Sequence, residues 1–147
     1  MSYKILIADD EDDVREIMAK KIKHEGYEVV SARDGEEAWK KIQKESPDII
    51  LLDLNMPKMD GLTVLKNLRQ NPPSKKWQPV VIISARNELT DINQGLSLEA
   101  DHYLTKPCHF SEVLKAIQLM SGLIPQRKSE LEVQAENNPN KNDKKDS

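Results

Sequence analysis

The chain has 147 residues, enough for one domain with a real core and too few for two ordinary ones. Hydrophobic residues make up 37% and charged residues 32%, as in a soluble body, and the formal net charge of −3 excludes the strongly basic footprint of a nucleic-acid binder. The one cysteine, Cys108, excludes an intramolecular disulfide, no apolar stretch approaches the ~20 residues that span a bilayer, and the N-terminal apolar run is too short for a signal peptide, so no membrane insertion and a cytoplasmic location are expected.

In chain order, the first element is the apolar run Ile5-Leu6-Ile7-Ala8, which ends abruptly in Asp9-Asp10-Glu11. A helix follows, with Val14, Ile17, Met18 and Ile22 on one face and a stop at Gly26. Val29-Val30 marks a second strand, and the Asp34-Gly35 turn opens a helix in which Ala38 and Ile42 repeat. Ile49-Ile50-Leu51-Leu52 is a third strand, ending in Asp53. Asp60-Gly61 opens a helix carrying Leu62, Leu65 and Leu68, and Pro72-Pro73 ends it. Val80-Val81-Ile82-Ile83 is a fourth strand, running into Ser84-Ala85. Leu89, Ile92 and Leu96 predict a fourth helix, His102-Tyr103-Leu104-Thr105 a weaker fifth strand, and Phe110, Val113, Leu114 and Ile117 a fifth helix.

Continuous rather than alternating apolar runs fit strands buried on both faces, as in a parallel sheet. Five β-α units therefore predict an α/β, flavodoxin-like, doubly wound (βα)5 sandwich with strand order 2-1-3-4-5. The predicted domain covers residues 1–124. Residues 125–147 are expected to be a polar disordered tail, because residues 123–147 hold five basic and five acidic side chains and little apolar material to offset ordering entropy. No output domain is expected within that segment.

In such a fold, ligands sit at the carboxyl ends of the strands where the strand order reverses, here beside strands one and three. Asp9, Asp10 and Asp53 therefore converge. A unit pair of like charges ~4 Å apart repels by roughly 4 kcal/mol at an effective dielectric of 20, so either one carboxyl keeps a proton or a cation sits among them. Mg²⁺ suits such a place, since it takes one or two carboxylates, keeps waters and accepts a phosphate oxygen. Strand ends four and five bring the Ser84 hydroxyl and the Lys106 ammonium to the same crevice. A carboxylate nucleophile, a cation site, a hydroxyl and an amine together suit phosphoryl transfer onto an aspartate. The plainer alternatives are that Asp10 or Asp12 caps the first helix, that Asp53 is a loop acid, that Lys106 is a solvated lysine, and that Ser84 and Tyr103 merely pack. His24, His102 and His109 lack ligand spacing, and Cys108 reads as an inert small hydrophobe.

The segments Ile5-Leu6-Ile7-Ala8-Asp9-Asp10-Glu11, Leu52-Asp53-Leu54-Asn55-Met56-Pro57, Asp60-Gly61, Ile83-Ser84-Ala85 and Tyr103-Leu104-Thr105-Lys106-Pro107 resemble the receiver domains of bacterial two-component response regulators over roughly residues 3–122. The resemblance implies Asp53 as phospho-acceptor, Asp10 as a direct Mg²⁺ ligand, Asp9 as a ligand mainly through water, and the Asn55 main-chain carbonyl as a further ligand. It implies that Lys106 pairs with Asp53 and then with its phosphoryl group, that Ser84 is the switch hydroxyl, and that Tyr103 is the rotating aromatic. The resemblance also implies that Asn55 and Arg86 occupy positions that tune the lifetime of the aspartyl phosphate. The expected donor is a sensor histidine kinase or phosphotransfer protein. The expected reader is a target protein docking on the face of helix four, strand five and helix five, with no direct nucleic-acid binding. The chain is expected to be a stand-alone regulator and not an enzyme, beyond self-phosphorylation and slow self-hydrolysis. Two departures from the family pattern are Glu99, where Gly is frequent, and Cys108, where an apolar aromatic is common. Competing functions are a Mg²⁺-dependent phosphohydrolase, against which stand Asn55 at the +2 position and the missing substrate-pocket insertion, and a partner-binding scaffold that needs no phosphorylation, against which stands the complete set of acids and lysine.

Overall fold

The computed structural model describes residues 2–85 and 100–137, with side chains as far as residue 126. Five parallel strands form one sheet: β1 (Lys4–Ala8), β2 (Glu28–Ala32), β3 (Ile49–Leu52), β4 (Val80–Ala85) and β5 (His102–Lys106). Their order is β2-β1-β3-β4-β5, which is the predicted flavodoxin-like topology. The helices are α1 (Asp12–His24), α2 (Gly35–Glu45), α3 (Gly61–Gln70) and α4 (Phe110–Asn137). The predicted helix at Leu89, Ile92 and Leu96 lies outside the described residues, as do Arg86 and Glu99; α4 is the fifth predicted helix.

Strand side chains alternate between two cores. Leu6, Ile50, Leu52 and Ile82 pack with Ala38, Ile42, Val64, Leu65 and Leu68 under α2 and α3. Ile5, Ile7, Ile49, Leu51, Val81 and Ile83 pack with Ala19 and Ile22 of α1 and with Val113, Ile117 and Met120 of α4. All four residues of β3 are buried, which explains why that run is apolar throughout. Each fully buried Leu or Ile here contributes about 2 kcal/mol of transfer free energy.

Turn chemistry sets the helix starts. Asp34 Oδ1 accepts from the Glu37 N–H and Asp60 Oδ1 from the Thr63 N–H, so both Asp-Gly pairs are N-caps followed by the first helical residue. Gly26 closes α1 with its N–H on the Lys23 carbonyl, 3.0 Å away, at a φ of +98° that an L-residue rarely adopts.

Two expectations need correcting. The inward face of α1 is Arg15, Met18, Ala19 and Ile22, while Ile17 is 55% exposed and Val14 lies at the rim. At ~100° per residue, Ile17 points away from the stripe that runs through Met18 and Ile22. Arg15 can lie on that stripe because its guanidinium donates to the Asp9 carbonyl at 2.9 Å and pairs with Asp12. In the second case, the backbone stays helical through Pro125 to Asn137, where a disordered tail is predicted from residue 125. The run Glu130-Leu131-Glu132 and Gln134-Ala135-Glu136 consists mostly of good helix formers, which a composition count does not weigh. Leu123 and Ile124 still pack on the core at the predicted domain edge. Deletion of residues 126–147 is therefore expected to shift the thermal midpoint by less than about 3 °C; loss of the cooperative transition in calorimetry would contradict this.

Candidate functional site

β1 and β3 are adjacent at the point where the strand order reverses, and both end in acid. The Asp53 N–H donates to the Ala8 carbonyl at 2.9 Å and the Asp9 N–H to the Ala32 carbonyl at 3.1 Å, so the sheet ladder itself holds both acids in place. Asp53 and Asp9 are buried, at 5% and 7% exposure, and Asp10 faces solvent. One carboxylate oxygen from each of Asp9, Asp10 and Asp53 lies within 4.8 Å of the others. Among the described residues this is the one cluster of His, Cys, Asp or Glu with such spacing, and none of the histidines belongs to it.

The local turns present each carboxylate. Asp9 Oδ1 accepts from the Glu11 N–H at 2.9 Å, and Asp53 Oδ1 accepts from the Asn55 N–H at 3.2 Å. The second oxygens face Lys106, whose Nζ lies 2.9 Å from Asp53 Oδ2 and 3.3 Å from Asp9 Oδ2. The N-cap residue of α1 is Glu11, with no side-chain cap bond, so neither Asp10 nor Asp12 caps this helix. The solvated-lysine reading of Lys106 fails on the two short contacts.

Ser84 is fully buried on β4, paired in register with Thr105, while Ala85 pairs with Lys106. That places the hydroxyl at the same end of the sheet as the acids, on the face of Ile82. Tyr103 is half-buried on the edge strand β5, against the core under α2 and α3. Asn55 is exposed in the loop that follows Asp53. Cys108 is half-buried, and burial, helped by Glu112, raises its thiol pKa against the smaller opposing pull of Lys106, so it stays an unionised thiol at neutral pH. Asp9, Asp53 and Lys106 line one end of a cavity of about 400 Å³ whose apolar wall includes Val14, Met18 and Cys108.

The charges do not balance. Burial raises the Asp53 pKa, and the hydrogen bonds from Lys106 and Asn55 with the Lys106 charge only partly offset that. Burial works to lower the Lys106 pKa, but its bonds and attraction to Asp53 and Asp9 prevail and raise it. One ammonium thus faces three carboxylates, and burial holds the Asp53 pKa above the ordinary carboxylate value. An all-oxygen anionic donor set with one solvent-facing member fits a hard divalent cation such as Mg²⁺.

A stability consequence follows without metal. The native state holds the Asp53 proton more tightly than the unfolded chain. Its contribution is therefore full below the unfolded pKa of about 3.9 and is lost as pH rises through the higher folded value. Lys106, with a raised pKa, keeps its contribution until strongly alkaline pH. In chelator, Asp53→Asn is expected to melt above the wild type at pH 7, because the amide carries no charge to bury. Differential scanning calorimetry should show that gap closing toward pH 3.5; a gap of the opposite sign at pH 7 would contradict the burial argument.

Sequence reasoning missed Arg15, which clamps the first turn of α1 to the Asp9 carbonyl. Its signal was the basic residue at position 15 on the Met18–Ile22 stripe. It also missed why Gly61 follows Asp60. The Gly61 N–H donates to the Leu54 carbonyl at 3.0 Å, and a Cβ there would lie 2.3 Å from the Asp53 carbonyl oxygen.

This pocket belongs to a known class. Residues 5–118 match the response regulator receiver domain model, and the chain belongs to that family. It is 43% identical over 113 residues to the alkaline phosphatase synthesis transcriptional regulatory protein PhoP of Bacillus subtilis (strain 168), covering 77% of this chain and 46% of that protein. It is 37% identical over 118 residues to response regulator GtcR of Aneurinibacillus migulanus, covering 80% and 47%. The chain thus spans about half the length of the curated relatives it matches. Among solved structures, it superposes on chemotaxis response regulator CheY4 of Vibrio cholerae with a TM-score of 0.74, at 31% identity over 82% of this chain and 99% of that one. The response regulator protein TrrA of Thermotoga maritima, solved in complex with Mg²⁺-BeF, matches with a TM-score of 0.70 at 30% identity, covering 82% and 99%. The chain is therefore a two-component receiver domain with an acidic pocket of the kind that binds Mg²⁺ in this family. No helix among the described residues is long and apolar enough to cross a membrane.

Proposed function

We propose that Asp53 takes a phosphoryl group from a sensor histidine kinase or phosphotransfer protein, and that the phosphorylated chain signals by docking to another protein. The supporting observation is the buried Asp53 carboxylate held 2.9 Å from Lys106 Nζ with Asp9 and Asp10 grouped beside it. A carboxylate oxygen of Asp53 attacks phosphorus, the P–O bond forms, and the bond to the donor breaks with its electron pair leaving on the donor. Asp10 and Asp53, the Asn55 main-chain carbonyl, and Asp9 through water would hold Mg²⁺. When bound, the ion neutralises carboxylate and phosphoryl charge. The Asn55 N–H fixes the orientation of Asp53, and Lys106 shifts its bonds from the free carboxylate to the phosphoryl oxygens.

Phosphorylation adds charge and three strong acceptor oxygens. Ser84 would turn its hydroxyl toward one of them, leaving space under β5 that Tyr103 can enter. The face made by β5, α4 and the fourth predicted helix would then change shape between two states. Residues 126–147 carry too little apolar material for a second core, and protein docking by the receiver domain is the readout this reading assigns. The same reading makes the protein a cytoplasmic phospho-acceptor and not an enzyme that turns over external substrates.

Acetyl phosphate with Mg²⁺ is expected to add one phosphoryl group per chain by intact-protein mass spectrometry, and chelator to abolish it. Turnover of many equivalents of a phosphoester would instead favour a hydrolase.

A further inference from the structure

The head of α2 lies against the loop that carries the acceptor. A Cβ at Gly35 would sit 1.6 Å from the Met59 carbonyl oxygen and 2.5 Å from its carbonyl carbon. These are main-chain atoms, so a side-chain rotation cannot relieve the overlap. Beside it, the buried Asp34 carboxylate, already capping α2, faces Lys58 Nζ at 3.8 Å. Lys58 is held at a φ of +68°, a conformation costly for an L side chain, and the next N–H, from Met59, bonds back to the Pro57 carbonyl at 2.8 Å.

The loop from Asp53 to Asp60 is thus fixed at three places. Its start is bonded to Ala8, its end returns through Gly61 to Leu54, and its outer turn leans on Gly35. Asn55 lies between the first and third of these, with its N–H on the acceptor. We infer that Gly35, through its contact with Met59, is a positioning residue for the Asp53–Asn55 segment and so sets the Mg²⁺ affinity of the pocket. The inference rests on the function proposed above. Local propensity points the other way: Ala is a better helix former than Gly, so nothing within α2 itself requires glycine at its first position. The requirement comes from the neighbouring loop. Adding a methyl group forces the two backbones apart by more than about 1 Å to reach ordinary contact, and displacement of supporting groups around a metal site typically weakens binding by 10- to 100-fold.

The test compares the full chain with Gly35→Ala, Lys58→Gly and Gly26→Ala. Gly26 also has positive φ but nothing within 4 Å of its Cβ position, so its variant is destabilised without touching the loop. Mg²⁺ affinity is read by isothermal titration calorimetry, and the loop by amide chemical shifts in the metal-free protein. Gly35→Ala is expected to raise the Mg²⁺ dissociation constant about tenfold and to move the amide signals of Asp53, Leu54 and Asn55. Lys58→Gly, which fits its left-handed backbone and frees the turn from Asp34, is expected to weaken binding about threefold with no loss of melting temperature. Gly26→Ala should melt lower and bind Mg²⁺ within twofold of the wild type. Wild-type affinity in Gly35→Ala, or an equal loss in Gly26→Ala, overturns the inference. If Gly35→Ala does not fold, unchanged affinity in Lys58→Gly overturns it alone. If the wild type binds no Mg²⁺, the proposed function fails first, and unmoved loop amides in metal-free Gly35→Ala then separately overturn the positioning role.

Discussion

Asp53→Asn is expected to gain no phosphoryl group from acetyl phosphate under conditions that label the wild type fully. The amide keeps the size and the Asn55 contact but lacks an anionic oxygen to attack phosphorus. Asp9 and Asp10 remain in the pocket, yet their roles differ. Asp9 is held by the Glu11 N–H and Lys106, and Asp10 faces solvent at the rim of the acidic cluster. The loss should therefore be essentially complete rather than graded, and the variant should still fold, with the higher metal-free melting point argued above. Intact-protein mass spectrometry decides it. An undiminished mass gain in Asp53→Asn would move the acceptor elsewhere in the chain.

Lys106→Ala carries the second large effect. Its ammonium lies within hydrogen-bonding distance of two buried carboxylates, and no other described cation lies within 4.0 Å of Asp53. Removing it leaves Asp53 and Asp9 buried without a positive partner, the costly half of breaking a buried pair. In the phosphorylated state the same nitrogen would bind a phosphoryl oxygen, so the loss grows as charge is added. Affinity for beryllofluoride with Mg²⁺ is expected to fall about 100-fold, the scale seen when one donor to a developing anion is deleted. The metal-free protein should also melt lower, and Mg²⁺ should recover part of the difference. Fluorine NMR of the bound beryllofluoride measures the first effect. An affinity within threefold of wild type would contradict the assigned role of Lys106.

The strand order was legible because β1, β3 and β4 are buried on both faces and read as unbroken apolar runs. The site was legible for a related reason. Polar residues that interrupt such runs at their carboxyl ends, as Asp9, Asp53, Ser84 and Lys106 do, must surface at one end of a parallel sheet. What stayed hidden depends on contacts without a periodic signature. Ile17 reads as core, but the inward place goes to Arg15 because a main-chain carbonyl and Asp12 satisfy its guanidinium. The helix beyond Pro125 was hidden because low apolar content says nothing about local helix propensity. The Gly35–Met59 contact leaves no pattern at all, since the partner is a carbonyl group common to every residue. Asp34-Gly35 reads only as a turn until the fold brings the β3–α3 loop against it.

The most direct test maps the modified residue. The protein is phosphorylated with acetyl phosphate and Mg²⁺, the acyl phosphate is reduced with borohydride, and the digest is sequenced by mass spectrometry. Conversion of residue 53 to homoserine, with Asp9 and Asp10 intact, is the predicted outcome. Homoserine at another position, or a stable phosphoester on Ser84 in its place, would contradict an acceptor role for the buried carboxylate beside Lys106.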